Sequence, residues 1–167
     1  MCHIYYTKCK FVYTLKLKIM SYREKENIVN IFSALVITSV YAWIVYQKQM
    51  SGLIDLKDDF QKWGIVFLIF AGLSIVARII IYIIFSIINV IATREEKIPP
   101  IDERDKLIKL KATRNSHYSF SFGFFIAIIG LSIGMPTYWL FILFVLSGVV
   151  SELIDNGSQM YYYRKGV

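Results

Sequence analysis

The chain has 167 residues, of which 56% are hydrophobic and 16% aromatic, and its mean hydropathy is +0.52; this is too apolar for a soluble domain with one core and a mixed surface. Nineteen Lys and Arg against twelve Asp and Glu leave a net charge of +7. The cations fall between apolar runs, which argues against nucleic acid as a partner and for orientation in a bilayer with contact to anionic lipid.

Residues 1–27 read as a cytoplasmic N-terminal segment. Met20 is followed by Ser-Tyr-Arg-Glu-Lys-Glu, a pattern resembling a bacterial start, so residues 1–19 are expected to be an extension from a misplaced start codon. They make no signal peptide, because no apolar run with a small-residue cleavage site follows their charges. Cys2, His3 and Cys9 lack a fourth ligand and any zinc spacing, so no metal is expected there.

Residues 28–167 read as a single membrane domain. The first span, 28–46, is long enough to cross a hydrocarbon core of ~30 Å. Trp43 and Tyr46 stand near its far end, where amphipathic rings favour the headgroup boundary. Asn30, Ser33, Thr38 and Ser39 make it somewhat polar, for helix contacts rather than for a pore. In the polar link that follows, Leu53, Leu56, Phe60 and Trp63 recur at helical spacing, which predicts a short amphipathic helix on the outer surface. The second span, 64–92, is about 43 Å long if wholly helical and must tilt or project. It contains Arg78, the one charge placed deep in any span.

Residues 93–117 form the predicted cytoplasmic loop, whose Thr93–Ser116 stretch has seven basic and five acidic residues. Pro99-Pro100 end the preceding helix, and Asp102 is placed to cap the next one, with Asp105 completing a capping box. Asp102–Lys106 and Asp105–Lys109 have the spacing of helical ion pairs with the acid first. Arg104, Lys106, Lys109, Lys111 and Arg114 predict a basic juxtamembrane surface that meets anionic lipid. Glu103 completes an Asp102-Glu103-Arg104-Asp105 run. His117 reads as an ordinary interfacial histidine.

The third span is expected over 118–135. Ser119, Gly123, Ala127, Gly130 and Gly134 follow at spacings of four, four, three and four, a stripe with little side-chain bulk against which another helix backbone can pack. Pro136 suits the first turn of a fourth helix, whose span is expected over 136–154. The basic 93–116 stretch and the neutral outer links place both termini in the cytoplasm, and Trp43, Trp63 and Trp139 mark one outer interface.

An Arg near the bilayer centre requires a partner. Arg78 is fifteen residues beyond Trp63 and Glu152 fourteen beyond Tyr138, which puts the two at one depth, so they are expected to pair. No nucleophile elbow, P-loop, HExxH or paired-carboxylate motif is present. Nothing argues for an enzyme, and no metal or cofactor is expected.

From Asp102-Glu103-Arg104-Asp105 through Leu107, Ile108, Ala112 and Arg114, the chain resembles an uncharacterised family of multi-span membrane proteins of bacteria and archaea. That pattern ends in a Tyr-Tyr-x-Arg-Gly-like tail; here it reads Tyr162-Tyr163-Arg164-Lys165-Gly166, with Lys where a second Arg is common. The resemblance covers roughly residues 21–167 and implies an integral membrane protein with no activity to carry over. The expectation is therefore all-α: a multi-pass cell-membrane protein of four transmembrane helices as two hairpins. The first functional expectation is a small accessory or regulatory protein meeting a cytoplasmic or membrane partner. The second is a homo-oligomeric transport component built on Arg78 and Glu152. The two differ in whether that pair is sealed in packed protein or lines a cavity that water reaches.

Overall fold

The computed structural model describes residues 21–53, 56, 59–93 and 101–166. The expectations for residues 1–19 and for Pro99-Pro100 lie outside the described residues. The described residues are all-helical, in four helices: α1 (Tyr22–Met50), α2 (Phe60–Thr93), α3 (Glu103–Ser132) and α4 (Thr137–Lys165). Three of them, α1, α2 and α4, are long and apolar enough to cross a membrane.

Local chemistry sets the helix ends. Ser21 and Glu24 form a reciprocal capping box at the start of α1, the S-x-x-E signature of a helix N-terminus. Asp102 and Asp105 do the same for α3, where the Glu103 N–H donates to Asp102 Oδ1 at 2.7 Å and the Asp102 N–H to Asp105 Oδ2 at 3.4 Å. At the end of α3 the Met135 N–H donates to the Gly130 carbonyl and the Gly134 N–H to that of Leu131, with Gly134 at φ +84°. This is a Schellman closure, which needs a left-handed residue at that point.

Two expectations are corrected here. Gly134 is not part of the packing stripe: it lies beyond the helix, and a Cβ there would touch nothing within 4 Å. The outer link forms no surface helix at its described residues: Ser51–Leu53 are turn and bend, and Leu56 and Asp59 are irregular. The Leu56 N–H donates to Gln49 Oε1 at 3.2 Å, and its carbonyl accepts from Trp63 Nε1 at 2.8 Å. Those two bonds hold Leu56 inward, 4% exposed, while Leu53 is 77% exposed.

The bundle is arranged around α4. Its contact with α3 is the most extensive, its contact with α1 is next, and α1–α2 and α2–α4 meet more lightly. The α3–α4 seam follows the small residues: a Cβ on Gly123 would come within 2.4 Å of Ser147 Cβ, so the two backbones approach as closely as glycine permits. Ala127 and Gly130 are buried on the same face, which continues toward the start of α3 as Ala112 and Ile108.

Burial is inverted relative to a water-soluble bundle. The buried residues include Asn27, Ser33, Ala34, Ala112, Ala127, Ser147, Ser151 and Asn156, whereas large apolar side chains along α2, from Ile65 to Ile91, face outward. Polar and small residues inside with bulky aliphatics outside is the pattern that lipid selects, because lipid gives apolar groups no reason to gather in the interior.

Candidate functional site

The interior has two unlike halves. Toward the turn between α3 and α4 it is aromatic: the Trp63 ring stacks on Phe141 with centroids 5.6 Å apart, and Phe60 meets the same ring edge-on at 5.3 Å. One turn further along, Phe144 gathers Phe67 and Phe120, each at 5.5 Å, and Phe124 at 6.2 Å. Such edge-on and stacked pairs fill space while satisfying ring electrostatics. This plug joins α2, α3 and α4.

Beyond Phe144 the interior turns polar. Arg78 Nη1 and Nη2 donate to Glu152 Oε1 and Oε2, each at 2.5 Å, a fork-on-fork pair between α2 and α4. The pair is not sealed in protein, for the side chains are 46% and 20% exposed. Both residues line a cavity of about 770 Å³ that extends from them toward the ends of the helices carrying Arg23, Asp105 and Tyr163. The cavity exists because of how α2 runs. It runs beside α1 on both sides of Arg78, where the Tyr41 hydroxyl donates to the Val66 carbonyl at 2.6 Å and Tyr22 meets Phe85 at 5.5 Å, and beyond Arg78 it contributes no lining residue. The space it leaves over α4 is walled by α1 on one side and α3 on the other.

Hydrogen bonds organise the walls. Asn30 donates to Asn156 Oδ1 at 3.4 Å, joining α1 to α4. Ser151 Oγ donates to the Ser116 carbonyl at 3.0 Å, and the two hydroxyls lie 2.8 Å apart, joining α3 to α4. Across the outer rim, Tyr163 Oη donates to Asp105 Oδ1 at 2.9 Å, and Arg23 lies 3.1 Å from Glu26 and 3.8 Å from Asp105. Arg164 reaches Glu24 at 3.2 Å. Asp155 accepts from Gln159 at 2.9 Å and from Thr113 at 3.4 Å. Asn27 Nδ2 is different: the residue is 4% exposed, lines the cavity, and this amide has no hydrogen-bond partner among the described residues.

The predicted site residues are distributed unevenly. The five cations of α3 do not share a surface. Lys106 and Lys109 line the cavity, Arg104 donates to the Tyr163 carbonyl at 3.4 Å, Lys111 lies over the Tyr162 ring at 5.9 Å, and Arg114 is exposed. The cause is helical geometry: Lys106 and Lys109, three residues apart, share a face, while steps of two or five residues point to other sides of the helix. The spacing expectation for Asp102–Lys106 and Asp105–Lys109 is also corrected: neither forms an ion pair. Both carboxylates turn back to cap α3, and Asp105 is further held by Tyr163 and Arg23. That leaves the two lysines directed at the cavity. Glu103 and His117 are exposed and outside it. No cluster of three or more His, Cys, Asp or Glu side chains suited to a metal occurs among the described residues.

Sequence patterning does not reveal the cavity as such, nor the place of Asn27, Asn156 and Ser151 in it. Their signal is an Asn or Ser recurring inside apolar runs, which helix packing alone also explains. No protein-family model, curated protein or solved structure matches the chain. The resemblance to the Asp-Glu-Arg-Asp family therefore rests on those motif residues, and the structure supports its coarser implication, helices apolar enough to span a membrane.

Proposed function

We propose that the chain is a four-span plasma-membrane protein of the transport type, which admits a polar solute from the cytoplasmic side into the cavity that ends at Arg78 and Glu152. One observation carries this reading: an ion pair that a packed bundle would seal instead lines about 770 Å³ of polar space among apolar helices. Intramembrane charge facing such a space is characteristic of solute and ion paths. The aromatic plug fills the interior at the opposite end, the kind of asymmetry that alternating access uses. In this reading α3 supplies the fourth span. Its apolar part is short, but Gly123, Ala127 and Gly130 pack on α4, so its depth follows that of a helix long enough to cross. The basic first turns of α3 then face the cytoplasm with both termini.

The test is cysteine labelling in a background with Cys2 and Cys9 replaced by serine. Ser151→Cys and Asn156→Cys are expected to react with a membrane-impermeant maleimide from the cytoplasmic side of inverted vesicles. Phe120→Cys and Phe67→Cys stay unreacted from either side. If the cavity positions prove as inert as the aromatic ones, the ion pair is structural, and an accessory protein meeting a partner through its exposed cytoplasmic ends becomes the better reading.

A further inference from the structure

The cavity is unevenly equipped with hydrogen-bonding groups. Each of its four carboxylates is engaged: Glu26 and Asp105 by Arg23, Asp105 also by Tyr163, Glu152 by Arg78, and Asp155 by Gln159 and Thr113. Three donors are not: the ammonium groups of Lys106 and Lys109, which have no acidic partner among the described residues, and the buried Asn27 Nδ2. A buried amide N–H without a partner is destabilising, and a ligand acceptor would relieve it.

Two of the three donors lie at one depth. Asn30 contacts Asn156, so Asn27, three residues earlier on the antiparallel α1, is level with Gln159. Asp105 contacts Tyr163, so Lys109, four residues deeper on the antiparallel α3, is level with Gln159 too, and Lys106 stands one turn nearer the rim. Asn27 on one wall and Lys109 on the other therefore form a layer between the rim and Arg78, with Lys106 a turn nearer the rim.

We propose that this layer is an oxyanion site that takes a phosphate group, and that the solute of the cavity is accordingly a phosphorylated or otherwise oxyanionic molecule; this rests on the open-cavity reading above. Two lysines provide positive charge of the kind phosphate attracts, the amide adds a directed hydrogen bond, and Arg78 extends the positive side inward. The carboxylates do not repel the anion strongly, because each is already held by a cation or by hydrogen-bond donors.

The experiment follows the thermal unfolding midpoint of the full-length chain in a neutral detergent as inorganic phosphate is added, against sodium chloride at matched ionic strength. A saturable rise is expected. It should weaken by about tenfold or more in half-saturating concentration in Lys106→Gln/Lys109→Gln, the consequence of losing charge-assisted hydrogen bonds. Lys111→Gln/Arg114→Gln, which removes the same charge outside the cavity, should keep it, and Asn27→Leu should weaken it. A parallel titration compares phosphatidylglycerol with phosphatidylcholine in mixed micelles. A rise with phosphatidylglycerol alone, dependent on Lys106 and Lys109, assigns the phosphate to a lipid headgroup; a rise with inorganic phosphate assigns it to a soluble solute. Either supports the oxyanion site. No rise with either probe, or the same loss in both double variants, overturns it. If cysteine labelling at Ser151 and Asn156 succeeds while the rise is absent, only the oxyanion assignment falls; if labelling fails as well, the cavity reading falls with it.

Discussion

The two halves of α4 do opposite work against their neighbours. From Tyr138 to Phe144 the helix meets Phe60, Trp63, Phe67, Phe120 and Phe124, and rings close the space. From Gly148 to Tyr163 it meets Arg78, Asn30, Thr113, Ser116 and Asp105, and a cavity remains. The contrast follows from what each half offers its neighbours. Flat rings pack against one another without needing donors or acceptors, so the helices converge. Charged and amide side chains must each find a partner in a medium that supplies none. They do so by reaching across from separate helices, which holds those helices apart.

The comparison can be broken most severely at the seam common to both halves. Gly123→Leu puts bulk where even a Cβ would lie 2.4 Å from Ser147 Cβ. It is expected to separate α3 from α4 at a cost of about 3 kcal/mol or more, read as loss of folded yield or a large drop in unfolding midpoint. Next comes the aromatic half alone: Phe144→Ala removes the ring shared by three others and should cost about 2–3 kcal/mol. It should also let a maleimide reach Phe67→Cys, which is inert while the plug is intact.

In the polar half, Arg78→Glu and Glu152→Arg each place two like charges together. Each should destabilise by about 1–3 kcal/mol, less than for a fully buried pair because Arg78 is half exposed, and the double reversal should restore most of the loss. Harmless single reversals would mean that water in the cavity screens the pair completely. The smallest effect is expected outside both halves. Asp59 accepts from the Lys62 N–H at 3.1 Å and lies 3.2 Å from its ammonium, and these hold its carboxyl below the usual range. A carboxyl depressed in the folded state adds stability above its unfolded pKa and loses it as pH falls through the folded value. Asp59→Asn should therefore lower the midpoint slightly at neutral pH and leave it unchanged in strong acid, checked by a pH series of thermal scans.

Much of this architecture is legible in the order of the amino acids. Long apolar runs show as helices, Asp102 and Asp105 as a cap, and a run of small residues from Ser119 to Gly130 as a close helix contact, because each depends on residues within a few turns of one another. The depth-matching of Arg78 and Glu152 also needs only the uniform rise of a helix. Patterning fails where a residue has two local uses. Gly134 fits a four-residue stripe and a helix stop equally well, and Leu56 fits an amphipathic period although its own backbone hydrogen bonds to Gln49 and Trp63 turn it inward.

What the amino-acid sequence determined by itself was the class of object: apolar helices long enough for a membrane, with charge confined to links, ends and one deep pair. Hydrophobic length and charge placement are properties of the chain, and lipid selects on them directly. What only the tertiary structure decided was the space between the helices. Whether Arg78 and Glu152 are sealed or open depends on α2 adding nothing to the wall of that space past Arg78. Whether Lys106 and Lys109 neutralise their neighbours depends on Asp102 and Asp105 being taken by the cap of α3 and, for Asp105, by Tyr163. Each of these is a competition among partners distant in sequence, settled by how helices cross.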